Sequence, residues 1–145
     1  MQDSPDVNPD AREDDLRIAI LRLSRRMRLE RAGSDVTDGQ LSVLFVLWKE
    51  GPQTLGSLAE HERVTPPSMN RTVNALVEAG LVTRGSAPDD GRKVLIEATD
   101  AGAEIAKETK RRRVAWFNRQ LATLSAEDRA VLEAASSILR KVADS

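Results

Sequence analysis

The chain contains no cysteine and no tyrosine, and its aromatic residues amount to only 3%. Without thiols, disulfide bonding and cysteine-based oxidation sensing are both excluded. The lone histidine, His61, is too little for a His/Cys metal cluster, so neither a metal nor another cofactor is expected. Scarce aromatics leave aliphatic side chains to build any core. Apolar runs fall short of the roughly 20 residues that a membrane-crossing helix needs. The N-terminal stretch is acidic, unlike a basic and apolar secretory signal. These absences lead us to expect a soluble, cytoplasmic protein with no membrane contact. Signatures of catalysis are missing as well. There is no glycine-rich phosphate loop and no serine or cysteine with a histidine–carboxylate partnership, so an enzyme is not expected.

What is present suits one compact domain, or a small module with long helical arms. The chain has 145 residues, 40% of them hydrophobic and 31% charged, with a formal net charge of -1. That near-neutrality is uneven along the chain. Asp3, Asp6, Asp10, Glu13, Asp14 and Asp15 face only Arg12, so an acidic N-terminus masks a more positive body. Residues 1–11 read as a mobile acidic tail.

From Asp14 the pattern becomes helical, with Leu16, Ala19, Ile20, Leu23 and Met27 at three- and four-residue spacing, and Gly33-Ser34 ends it. Thr37 and Gln40 fit a capping box at the start of a second, strongly apolar helix that Gly51-Pro52 closes. Thr54 opens a third. Thr65-Pro66 opens a fourth, because threonine caps and proline at the first helical position loses no needed N–H. Met69, Val73, Leu76 and Val77 give this fourth helix its buried stripe, and Gly80 suits its left-handed end. Residues 81–84 and 94–97 are short β-type runs around a polar, turn-rich loop. Thr99 and Ser125 cap two further helices. The resulting expectation is a mainly α fold with a small β-hairpin wing. It divides into a helix over 12–35, a helix-turn-helix and wing over 36–98, and terminal helices over 99–145.

The inward stripe of the fourth helix determines which side chains point out. Pro67, Arg71, Asn74 and Glu78 lie opposite Met69, with Ser68 and Asn70 beside them near the N-terminus. These residue types suit double-stranded DNA. Arginine can take guanine O6 and N7 together, asparagine can pair with adenine, and serine can serve a base or a phosphate. Thr65 stands at the helix N-terminus, where free N–H groups attract phosphate. On the hairpin, Arg92 is placed to enter a minor groove, Asp90 to orient a guanidinium, and Arg84 and Lys93 to meet phosphates.

The stretch from Thr65 through Gly102 resembles the MarR family of transcription regulators. The matching residues are Thr65-Pro66-Pro67-Ser68-Met69-Asn70-Arg71, then Val73, Leu76, Gly80-Leu81-Val82 and Arg84. Asp90-Gly91-Arg92 with Leu95, followed by Thr99-Asp100-Ala101-Gly102, completes the pattern. The resemblance implies a winged helix-turn-helix whose N- and C-terminal helices interlock in a homodimer. It also implies a repressor on a pseudo-palindromic operator, released when a small aromatic or lipophilic effector binds. Arg22, Leu44, Trp48 and Trp116 are the candidates for lining that effector's pocket. The competing expectation is a winged-helix module that binds protein without DNA, which the near-neutral charge would suit. Arg111-Arg112-Arg113 reads as a solvated basic run.

Overall fold

The computed structural model describes residues 9–33, 35–87 and 91–145. Helix α1 (Pro9–Arg28) leads to α2 (Asp38–Glu50), α3 (Leu55–Glu62) and α4 (Pro66–Glu78). Strands β1 (Val82–Ser86) and β2 (Val94–Ala98) follow, then α5 (Asp100–Ala122) and α6 (Ala126–Ala143). A mainly helical chain with an antiparallel two-stranded wing is therefore the fold.

Local chemistry sets most boundaries. Thr37 accepts from the Gln40 amide while the Gln40 side chain accepts from the Thr37 amide, completing the capping box of α2. The side chains of Thr54, Thr65, Thr99 and Ser125 each accept a backbone N–H in the first turn of α3, α4, α5 and α6. Gly51 and Gly80 take φ values of +84° and +73°, the left-handed region that favours glycine.

Two boundaries differ from expectation. Helix α1 begins at Pro9, inside the stretch assigned to the tail, because proline is tolerated in a first turn and Asp10 complements the positive helix end. It also stops at Arg28, well before Gly33. The chain beyond is held by α5 instead. Arg113 Nε donates to the Glu30 carbonyl at 3.2 Å and Arg112 Nη1 to the Arg31 carbonyl at 3.0 Å. The Ala32 amide donates to the hydroxyl of Thr109, which is fully buried, at 3.0 Å.

The core lies among α2, α3, α4, the wing and the first turns of α5. Leu41, Leu44, Leu58, Met69, Leu76 and Ile96 are buried there almost completely. Val77 is a correction: it is 38% exposed. At 100° per residue it sits roughly 80° round the helix from Met69, on the flank of the stripe. The wing pairs Val82 with Ala98, Arg84 with Ile96 and Ser86 with Val94. Gln53 adds an unexpected bridge to β2 from outside the hairpin, exchanging backbone hydrogen bonds with Ile96 at 3.0 and 2.7 Å. The α2–α3 connection thus anchors the base of β2.

Helix α5, which opens the terminal helices expected over 99–145, belongs to this core at its N-terminal end. Gly102 and Ala106 are buried, and a β-carbon on Gly102 would stand 2.1 Å from the Leu81 carbonyl oxygen. The Thr99 amide reaches that same carbonyl, and its hydroxyl donates to the Gly80 carbonyl at 2.8 Å. The outer helices contrast with this packing. Helix α6 buries no residue, and α1 exposes Leu16, Ile20, Leu21 and Leu23. Among the described residues, no helix is long and apolar enough to cross a membrane.

Candidate nucleic-acid interface

Helix α4 is aimed by its neighbours before its own side chains matter. Arg63 takes a left-handed conformation, φ 54°, that turns the chain sharply after α3. The Val64 amide then returns to the Ala59 carbonyl at 3.0 Å. On the other side, the Ser42 hydroxyl donates to Glu62 at 2.5 Å, tying α2 to the end of α3. The Thr65 hydroxyl oxygen accepts from the Ser68 amide at 3.3 Å, and the prolines that follow set the first turn. Met69, Val73 and Leu76 anchor the inward face.

This anchoring turns Pro67, Asn70, Arg71 and Asn74 to the surface, with Ser68 half-buried. The polar face expected from periodicity is therefore assembled on one side of α4. Across from it, β1 contributes Arg84, expected at a phosphate. Its guanidinium spans two α4 side chains, Nη1 donating to Asn74 Oδ1 at 2.6 Å and Nη2 to Asn70 Oδ1 at 2.9 Å. This bridge joins side chains 10 and 14 residues apart on two different elements, which is why helical periodicity did not reveal it. Arg92 and Lys93 are exposed at the hairpin end, where the Ala87 amide donates to the Lys93 carbonyl at 3.0 Å. Asp90 lies outside the described residues.

The expected effector residues are scattered. Leu44 is fully buried in the core against α5, and Arg22 is exposed on α1. Trp116 is buried under the Arg26 guanidinium, 4.7 Å from the ring centre, which is a packing and cation–π role. Trp48 is half-buried, with the Lys110 ammonium 5.7 Å from its ring. A different set converges between α1, α2 and α5. Arg28, Asp38, Leu41, Ser42, Phe45 and Arg113 line a groove of about 280 Å³.

Electrostatics mark that groove as cationic. The Arg113 guanidinium lies 5.6 Å from the Phe45 ring centre. Burial pushes its pKa below the ordinary arginine value; Asp38 opposes that shift, while Arg31 and Arg28 add to it. Arg113, expected as part of a solvated run, is half-buried. Its neighbours Arg111 and Arg112 fit that reading better, because both are exposed and both bind Glu108, at 2.6 and 3.1 Å. Their hydrogen bonds draw the Glu108 carboxyl down to about 2. Among the described residues, no group of His, Asp or Glu side chains is arranged to hold a metal ion.

Comparison with known proteins gives a consistent result. The MarR family profile matches residues 36–94. An HTH-type transcriptional regulator of Mycobacterium tuberculosis is 41% identical over 139 residues, 95% of this chain and 97% of the relative. Among solved structures, a MarR family protein from Bacillus stearothermophilus superposes with a TM-score of 0.80 at 24% identity, over 94% of this chain and 95% of that one. Streptococcus pneumoniae FabT, crystallised in complex with DNA, superposes with a TM-score of 0.78 at 20% identity, over 92% and 96% of the two chains.

Proposed function

This chain belongs to the MarR family of transcriptional regulators, and on that premise we propose that it is a homodimeric repressor of a pseudo-palindromic operator. A small aromatic or lipophilic ligand, acting as effector, releases it. The observation that carries the reading is the polar outward face of α4 standing beside a hairpin tipped by Arg92 and Lys93. That arrangement suits a helix in the major groove and an arginine in the adjacent minor groove. Arg71 and Asn74 then read bases, Ser68 meets a base or a phosphate, and Thr65 and Lys93 lie along the backbone. Pro67 supports the close approach of the first turn.

Dimerisation is supported by the apolar faces that a single chain leaves uncovered on α1 and α6. Effector control is supported by the cationic groove beside Phe45, whose Arg28 and Arg113 suit an aromatic anion better than a neutral lipid. A ligand there acts only by favouring the conformation that does not bind DNA.

The test is fluorescence anisotropy on the upstream region of the protein's own gene, across a salt series with scrambled competitor. Nanomolar affinity that resists competitor and falls steeply with salt is the expected result. Failure to select any DNA from a genome-wide library would transfer the reading to a winged-helix protein-interaction module.

A further inference from the structure

Asn70 and Asn74 stand one helical turn apart on the outward face of α4, and the Arg84 guanidinium bridges them at 2.9 and 2.6 Å. Arginine carries only N–H donors, so each bond must end on an amide oxygen. Chemistry alone therefore settles which way the two amides point, a matter usually left to interpretation. Both side-chain –NH₂ groups are turned away from the guanidinium. The clasp has a rigid base, because Arg84 pairs in register with Ile96, a buried residue that Gln53 also pins.

This polarity matters for base reading. An asparagine that pairs with adenine offers its oxygen to N6–H₂ and its nitrogen to N7 at the same time. Here a charge-assisted bond already engages each oxygen, and such bonds are roughly twice as strong as neutral ones. What remains well presented is a pair of N–H donors, which match the guanine N7 and O6 or the thymine O4 acceptors; adenine offers only N7 and sets its N6–H₂ donor beside it, so the bidentate pairing that favours adenine is lost. We propose that Arg84 is a positioning residue that sets the amide polarity of Asn70 and Asn74 and so directs them to guanine or thymine and away from adenine. The proposal rests on the DNA-binding reading above and assigns part of its specificity to a wing-strand residue outside the recognition helix.

The test is selection from a random double-stranded DNA library with the full-length protein, Arg84→Met, Arg84→Lys and Asn74→Ala, followed by anisotropy on the selected sites. Asn74→Ala identifies the base position that Asn74 reads, as the one whose preference relaxes. At that position the unmodified protein is expected to select guanine or thymine. Arg84→Met removes the donors and should shift it towards adenine by at least about fivefold, with the rest of the site unchanged. Arg84→Lys should shift it too, since an ammonium lacks the planar fork that spans both oxygens. A uniform loss of affinity in Arg84→Met, rescued by lysine with base preference unchanged, would overturn the clasp and make Arg84 a phosphate contact. Variants indistinguishable from the parent would overturn it as well. A parent protein that selects no sequence refutes the DNA-binding reading itself. A readout without DNA guards the structural premise. The side-chain amide resonances of Asn70 and Asn74 should move in Arg84→Met, and unmoved resonances would mean that the clasp does not form.

Discussion

At Gly102 the first turn of α5 lies directly on the backbone of Leu81, leaving no room for a β-carbon. Gly102→Ala must push α5 away from the wing or twist the Gly80–Leu81 turn that Thr99 holds. Overpacking of that kind costs about 1–3 kcal/mol, which urea unfolding should register as a lower midpoint at unchanged slope. Under the proposed reading, other single residues are expected to act on DNA and not on stability. Arg92→Ala should weaken operator binding strongly while the dimer survives; unchanged affinity would remove the hairpin from the interface. Arg71→Ala should relax preference at one base position by about 1–3 kcal/mol. A loss spread evenly over all sequences would make Arg71 a phosphate contact.

Among the elements, α5 carries a local pH dependence. Hydrogen bonds from Arg111 and Arg112 hold the Glu108 carboxyl at about 2 in the folded chain, against an ordinary value of 4.5. A folded pKa below the unfolded one stabilises the fold fully above about 4.5, and that contribution drains away as pH falls towards 2. Arg112 also holds the Arg31 carbonyl, so the strap between α1 and α2 should loosen over the same window. Carboxyl chemical shifts should give a Glu108 midpoint near 2, and the difference in thermal midpoint between the protein and Glu108→Gln should shrink as the solution is acidified. Elements of this kind divide sharply in what their sequence discloses. Helix starts at Thr37, Thr54, Thr65, Thr99 and Ser125 were legible because a cap and its acceptor amide lie within three residues. The outward face of α4 was legible because its period is intrinsic to the helix, although Val77 sat too near the edge of the stripe to be placed. The Gln53 bridge, the Arg84 clasp and the grip of Thr109, Arg112 and Arg113 on the chain after α1 were not legible. Each depends on how distant elements meet, which no local window contains. Tryptophan signals both packing and binding, so local patterning did not separate those roles for Trp48 and Trp116. The groove lined by Phe45, Arg28 and Arg113 forms only where α1, α2 and α5 meet.

At the scale of the whole molecule, the outer helices leave apolar surface uncovered: Leu16 on α1 and Val131, Ile138 and Val142 on α6 are each 60% exposed or more. Sedimentation velocity should therefore find a dimer, and Ile138→Asp, on the exposed face of α6, should convert it to a monomer of unchanged helicity. Operator affinity should fall with it, because two half-sites can no longer be engaged together. A parent protein that sediments as a monomer would remove the dimer from the functional reading. The course of α5 would give such a dimer a mechanical property. Its 23 residues make a rod about 35 Å long, seated at one end by Gly102 and Ala106 and braced further along by Trp116 under Arg26. A lever of that length multiplies small angles: a tilt of ~5° about one end carries the other through about 3 Å. Two such levers in a symmetric pair would double the displacement between their reading heads. In the proposed dimer, a tilt of a few degrees would then shift the two reading helices against successive turns of DNA.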